Sequence, residues 1–317
     1  MRVLLAFALA LAPMFAHAYP ERPIRLVVPF APGGSADLVG RLLAQQMSES
    51  LGQPVVVENK GGASGMLGND YVAKSAPDGY TLTVGTLGPF AVNQTLYEHV
   101  PYDNIRDFAP ITLTGLSSHI LVANPAVPVT NVNELIALAK QKPGQLTFAS
   151  SGTGNATHLT FELFKARAGI DIVHVPYKGG GPAMADLVGG QVQFSFASMA
   201  SAVPFVRSGR LRAIAVSGGE RSALFPDVPT VAEAALPGFA SEDWQGILAP
   251  AKTPPEIVQK LNGEIARILV QPEVKAKLQA AGFEPKPSTP EWFAQFIQAE
   301  TLKWAKLLKG IGIKAPQ

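Results

Sequence analysis

The stretch VVPFAPGGSADLVGRLLAQQM, residues 27–47, decides the fold. Val27 and Val28 close an apolar, β-branched run that begins at Ile24 and has the composition of a buried strand. Leu38, Leu42 and Leu43 then recur at helical spacing, so a helix is expected over 36–50. Between the two lie Pro29, Pro32, Gly33 and Gly34. A plain connector has no need of two prolines and two glycines. Such a loop is stiff, and its glycines let main-chain N–H groups approach a ligand closely. The helix start that follows leaves up to four N–H groups without intrahelical partners and carries roughly half a positive charge. Strand, glycine loop and helix mouth together make a candidate anion site.

The same grammar recurs in TFASSGTGNATHLTFELFKARAG. A strand over Leu146 to Ala149 leads through a small-residue loop, Ser150 to Asn155, into a helix with Leu159, Leu163 and Phe164 on one face and Gly169 at its end. VHVPYKGGGPAMADL is a third, weaker copy. Around these segments strand-like runs alternate with amphipathic ones, the pattern of an α/β protein with mainly parallel sheets. The alternation runs in two rounds, ending near Asn124 and Trp244, and a long helical tail follows. Two lobes are therefore expected, the first from residues 19–120 with 246–317 and the second from 121–245. The chain would cross between them twice in extended form, near HILVAN and GILAPA, with a ligand cleft between the lobes. Parallel strands bring their loops to one sheet edge. Gly33–Ala36 and Gly152–Thr157 would then face each other across the cleft and suit a small carboxylate or dicarboxylate. Asp37 and Lys178 also have plain structural readings, as a capping carboxylate and a solvated lysine.

The first eighteen residues, MRVLLAFALALAPMFAHA, join Arg2 to a short apolar run and a small-x-small site at Ala16-His17-Ala18. This reads as a secretory signal peptide cleaved after Ala18, because the run falls short of the ~20 residues a membrane span needs. The mature protein is expected in the periplasm. The absence of cysteine excludes disulfides, thiol catalysis and cysteine-ligated metals. A net charge of +2 with 16% charged residues leaves no basic footprint, so no nucleic-acid partner is expected.

Enzyme signatures fail on inspection. GTGNAT has Thr157 where a dinucleotide fingerprint needs its last glycine. GGASGM has Met66 where a nucleophile elbow needs glycine. His158 and Glu162 stand one turn apart, but a helical i,i+4 polar pair is ordinarily only that, and no HExxH exists. No cofactor, no metal and no catalytic residue is expected.

At this point the residues carry a resemblance. PIRLVVPFAPGGSAD, VENKGGASGMLGNDYVAKSAPDGYTL, PYDNIRDFAPIT, FASSGTGNATHL, VPYKGGGPAMADLVGGQV, GRLRAIAVSG and WQGILAPAKTP occur in order, and together they span essentially the whole chain after residue 18. The sequence resembles the Bug (TctC-like) periplasmic solute-binding receptors of tripartite tricarboxylate transporters. The resemblance implies a two-lobed periplasmic binding protein fold, type II-like, that closes on its ligand like a flytrap. It implies no chemistry, a small carboxylate ligand held largely by main-chain groups, membrane transporter subunits as partners, and a monomer. Matching positions imply ligand contacts from Phe30, Ala31, Gly33, Gly34, Ser35, Ala36 and Asp37 in the first loop. The second loop would add Ser151, Gly154, Asn155, Ala156, Thr157 and His158. Thr86, Tyr177 and Lys178 would line the remaining wall, and Ser198 would act as a selector. Ala31 and the Ser35-Ala36 pair depart from the frequent family form, which leaves the ligand's identity open. An exported α/β hydrolase using Ser35, Ser151 and His158, and a ligand-loaded sensor subunit for a membrane signalling protein, remain the competing readings.

Overall fold

A computed structural model describes residues 19–311; the expected signal peptide lies outside the described residues. The chain begins with β1 (Ile24–Val28), α1 (Ser35–Leu51), β2 (Val55–Asn59), α2 (Met66–Ala73) and β3 (Thr81–Thr86). A π-helical turn over Gly88–Val92 runs into α3 (Asn93–Leu96), and the long β4 (Phe108–Ala123) follows. The second round is α4 (Val132–Gln141), β5 (Thr147–Ser150), α5 (Ala156–Ala168), β6 (Val173–Pro176), α6 (Gly180–Val188), β7 (Phe194–Ser198), α7 (Met199–Arg207), β8 (Arg212–Val216) and α8 (Val231–Ala234). The chain returns through β9 (Glu242–Pro250) to α9 (Pro255–Leu269), α10 (Pro272–Ala280), β10 (Phe283–Pro285) and α11 (Pro290–Ile311).

The strands form two sheets that share β4. In the first lobe β2, β1 and β3 pair in parallel, and β9, β4 and β10 extend the sheet antiparallel. In the second lobe β6, β5 and β7 are parallel, with β4 and β8 antiparallel beyond them. The expectation of parallel pairing thus describes three strands in each lobe, and the strands that connect the lobes run against them. Strand β4 changes partners midway: residues through Ser118 pair with β9, and from His119 onward with β7 and β8. On the return, Ser241 still donates to Ser217 O in the second lobe at 2.8 Å, while Glu242 already pairs with Ser118. Residues 242–245, expected in the second lobe, therefore pair within the first sheet. Composition does not reveal where a continuous strand exchanges its hydrogen-bonding neighbours.

The helices cover both faces of each sheet. In α1 the buried face is Val39, Leu43 and Met47 with Ala36, Gly40 and Ala44; Leu38 and Leu42 are only half-buried beside it. Full burial of side chains such as Leu43 is worth about 1.5–3 kcal/mol each. Gly52 ends the helix at φ 68°, a left-handed position glycine adopts without strain. The tail returns to the same core: Leu261, Ile265 and Ile268 of α9 join α1's cluster, and Phe293 and Ile297 of α11 join the cluster on the opposite face. β10, which the helical tail had concealed, pairs through Phe283 with Ser117. Phe148, Phe161, Phe164 and Phe196 fill one side of the second sheet, and Met184, Leu187 and Met199 the other.

Candidate functional site

Three glycine loops and three helix mouths meet between the lobes. Parallel pairing of β1, β5 and β6 sends their following loops to facing sheet edges, so α1, α5 and α6 all open toward one cavity. Its lining includes Phe30, Gly34, Ser35, Ala36 and Asp37 from the first loop, Ser151, Asn155, Ala156 and Thr157 from the second, and Gly180 from the third. The cavity measures about 50 Å³, roughly three to five water positions at ~10–15 Å³ each. Within α1 the first N–H to find a helical carbonyl is that of Leu38, which donates to Gly34 O at 3.1 Å. Helix geometry leaves the amides of Ser35, Ala36 and Asp37 to face whatever occupies the mouth.

The lobes are closed on one another. Ala31 N donates to Lys178 O at 2.9 Å, and Ser201 Oγ donates to Gly33 O at 3.2 Å. At the rim Tyr97 Oη donates to Thr153 O at 3.0 Å and lies 2.8 Å from Ser64 Oγ. Glycine makes this approach possible: a Cβ on Gly181 would sit 2.3 Å from Pro32 O across the cleft.

The expected site residues divide into two groups. Phe30, Gly34, Ser35, Ala36, Thr86, Ser151, Asn155, Ala156, Thr157 and Ser198 line the cavity, as does Asp37, whose carboxylate is fully committed to its own lobe. Asp37 Oδ2 accepts the Gly33 amide at 3.1 Å and Arg41 Nε at 3.0 Å, and Oδ1 accepts Asn59 Nδ2 at 2.9 Å. Burial alone would raise its pKa, but the hydrogen bonds from Arg41, Asn59 and Gly33 hold it below the usual carboxylate range. The Asp37 carboxylate thus fixes its own loop.

The second group stands off the cavity. Ala31 and Gly33 spend polar groups on the lobe contact described above. Gly154 donates its amide to His158 Nδ1 at 3.1 Å, which turns that imidazole inward, stacked on His174 at 4.0 Å between ring centroids. Glu162 pairs with Lys165 at 2.8 Å. Tyr177 and Lys178 line a neighbouring rim pocket with Ser64, Tyr97 and Thr153. The hydroxyls of Ser35 and Ser151 bond Gln245 and Thr157, not an imidazole.

The sequence reading missed three contributions. The α6 face presents Gly180, Ala183 and Met184, spaced i, i+3, i+4, and the weak third copy of the glycine loop was its signal. In β7, Ser195 and Ala197 line the cavity while Phe194 and Phe196 fill the core, the period-two alternation of a strand. Ser198 and Ser201, 2.6 Å apart, carry the hydroxyl contact on to Gly33.

The third contribution is the cleft floor, built by the strands that join the lobes. Thr86 lies opposite Gln245, Asp243 is two residues along β9 opposite Ser117, and His119 is two residues beyond Ser117 on β4. All five therefore stand on one face. Trp244 points to the other face, against Phe293 and Phe296 of α11. His119 Nδ1 is 3.3 Å from Thr160 Oγ1, its Nε2 is buried without a partner, and burial pushes its pKa down to about 4. Asp243 Oδ1 accepts the Trp244 amide at 2.8 Å. Burial pushes the Asp243 pKa up to about 7 against the pull of the Trp244 and Leu87 amides, and Glu300 adds to the rise.

Comparison with known proteins agrees with this fold. The family model described as "Tripartite tricarboxylate transporter family receptor", TctC, matches residues 39–313. Protein BugT of Bordetella pertussis is 41% identical over 313 residues, covering 98% of this chain and 96% of its own. R. palustris Rpa4515, solved with adipate, superposes with a TM-score of 0.91 at 37% identity, covering 93% of this chain and 99% of its own. MatC from Rhodopseudomonas palustris, solved with bound malate, gives 0.87 at 36% identity, covering 92% and 100%. The periplasmic binding protein BugD gives 0.90 at 35%, covering 93% and 99%. The chain belongs to the TctC family of tripartite tricarboxylate transporter receptors.

Proposed function

We propose that this protein is a periplasmic receptor that captures a small organic carboxylate between its lobes and delivers it to a tripartite tricarboxylate-type membrane transporter. One observation carries the proposal: the mouths of α1, α5 and α6 open together onto a single cavity between closed lobes. Main-chain N–H groups and three positive helix ends make that cavity a place for an anion. Adipate and malate in two relatives support a carboxylate as the anion. Closure follows because a ligand touching both lobes binds the closed form more tightly than the open one. The hinge is the pair of strands β4 and β9, with the lobes changing at Ser118–His119 and at Ser241–Glu242. A single chain supplies both walls of the cavity, so the receptor acts as a monomer. Export is directed by the first eighteen residues, which are then cleaved after Ala18. Among the described residues no helix is long and apolar enough to cross a membrane.

The test is thermal melting of the mature protein against a panel of small carboxylates, each paired with its neutral amide. Ligand at a hundred times its Kd should add about 2.7 kcal/mol to stability. Equal stabilisation by the amides would refute an anion site.

A further inference from the structure

The cavity is chemically lopsided. At its mouths are helix N-termini, which favour negative charge. At its floor, on one sheet face, are Asp243, 8% exposed, and the neutral His119. None of the described residues lining the cavity is a lysine or an arginine. The other acid in the lining, Asp37, is already paired with Arg41 and Asn59. Around Asp243 the amides of Trp244 and Leu87 lie on it, Glu300 of α11 repels it and His119 of β4 is uncharged; Lys303 of α11, which lines a pocket with Asp243 on the far side, is committed to Glu300 at 2.6 Å.

From this arrangement we infer that Asp243 sets the specificity of the site, selecting an acid with one ionised carboxylate at the helix mouths and a hydrogen-bond donor, hydroxyl or ammonium, at its far end. The inference rests on the carboxylate-receptor reading and goes beyond it. An ionised carboxylate accepts hydrogen bonds and offers none. A ligand's second carboxylate reaching the floor would meet a like charge, with no cation to neutralise either. A donor at the same place adds a charge-assisted hydrogen bond to a buried carboxylate that otherwise accepts only the Trp244 and Leu87 amides.

The test uses the mature wild-type protein with four probes of matched length: butyrate, 4-hydroxybutyrate, 4-aminobutyrate and succinate. Affinities are measured by calorimetry at about pH 8, above the Asp243 pKa of about 7. The hydroxy or the amino acid is expected to bind at least about tenfold more tightly than butyrate, the scale of a hydrogen bond to a charged group. Whichever of the two binds better identifies the donor. Succinate is expected to be the weakest. Asp243→Asn should abolish the preference for the amino acid over butyrate and bring succinate up by about tenfold relative to butyrate. Succinate binding as tightly as the best donor-bearing probe in the wild type would overturn the inference without needing any variant. Succinate binding that strengthens steadily as pH falls, with uptake of one proton, would overturn it too, because Asp243 would then be donating to a second carboxylate. Failure of all four probes and of every carboxylate in the melting panel would instead remove the carboxylate-receptor reading itself.

Discussion

The lobe contact at Gly181 allows closure to be weakened without touching either lobe's fold. Gly181 lies in the first turn of α6, and a Cβ there would sit 2.3 Å from Pro32 O, where such atoms keep at least about 3 Å. Both the blocking atom and its neighbours are backbone, so no side chain can swing aside. In Gly181→Ala the lobes must part by at least about 0.7 Å at this point. That movement stretches Ala31 N–Lys178 O from 2.9 Å and Ser201 Oγ–Gly33 O from 3.2 Å beyond hydrogen-bonding range. Two hydrogen bonds at about 1 kcal/mol each give about 2 kcal/mol against closure. With 1.4 kcal/mol per factor of ten, affinity should fall roughly 30-fold.

The unliganded protein should respond in the opposite direction. Alanine is favoured over glycine inside a helix by about 0.5–1 kcal/mol, and the open form has room for the methyl group. Melting without ligand should therefore be unchanged or higher by about 1–3 °C, while calorimetry with the best carboxylate of the panel shows the loss. Unaltered affinity in a well-folded Gly181→Ala protein would refute the claim that this closed contact is the ligand-binding state.

Other perturbations separate the remaining parts. Gly33→Val and Gly154→Val place a β-branched residue at φ 92° and 79°; each should lose about 1–3 kcal/mol of stability as well as affinity, read by melting and titration together. Tyr97→Phe removes the cross-lobe contact to Thr153 O and should weaken binding about three- to tenfold, while loss of the Ser64 contact within the first lobe lowers unliganded stability by no more than about 1 kcal/mol, read by titration and melting together. Asp37→Asn should destabilise the protein at neutral pH. Because the Asp37 pKa is held below its unfolded value, its contribution is present above that unfolded value and is lost as pH falls through the folded one. The difference between wild type and variant should shrink only in acid melts, and a difference independent of pH would contradict the hydrogen-bonding assigned to Asp37.

The helix mouths were legible because their cause is local. Gly33-Gly34 before an apolar periodic run states both the loop and the helix in one window, and SSGTGN before Ala156 states it again. Asp37 was ambiguous because a carboxylate in a first turn has the same sequence signature whether it faces a ligand or, as here, its own Gly33 amide. His158 was ambiguous for a related reason: an imidazole four residues beyond Gly154 can point outward or back to that amide, and only packing against His174 decides. The floor was out of reach. His119 and Asp243 are separated by more than a hundred residues, and their shared face exists only through the pairing of Ser117 with Asp243.

This division has a physical consequence for how such a site can change its ligand. The proposed grip at the mouths is main chain, set by φ angles at Gly33 and Gly154 and by a glycine-to-glycine approach at Gly33 and Gly181. Substitution there strains the loop or props the lobes open, so this half of the site tolerates little variation. At the floor, Thr86, His119, Asp243 and Gln245 project from strands whose backbones are held by ladder hydrogen bonds on either side. A side chain there can be exchanged without moving the backbone that carries it. On the proposed reading, recognition of a carboxylate and choice among carboxylates would rest on different kinds of atoms, and the strands that must flex for the lobes to close would also read the far end of the solute. A ligand that mismatches the floor penalises closure at the hinge itself, which couples selectivity to the closed state presented to the transporter.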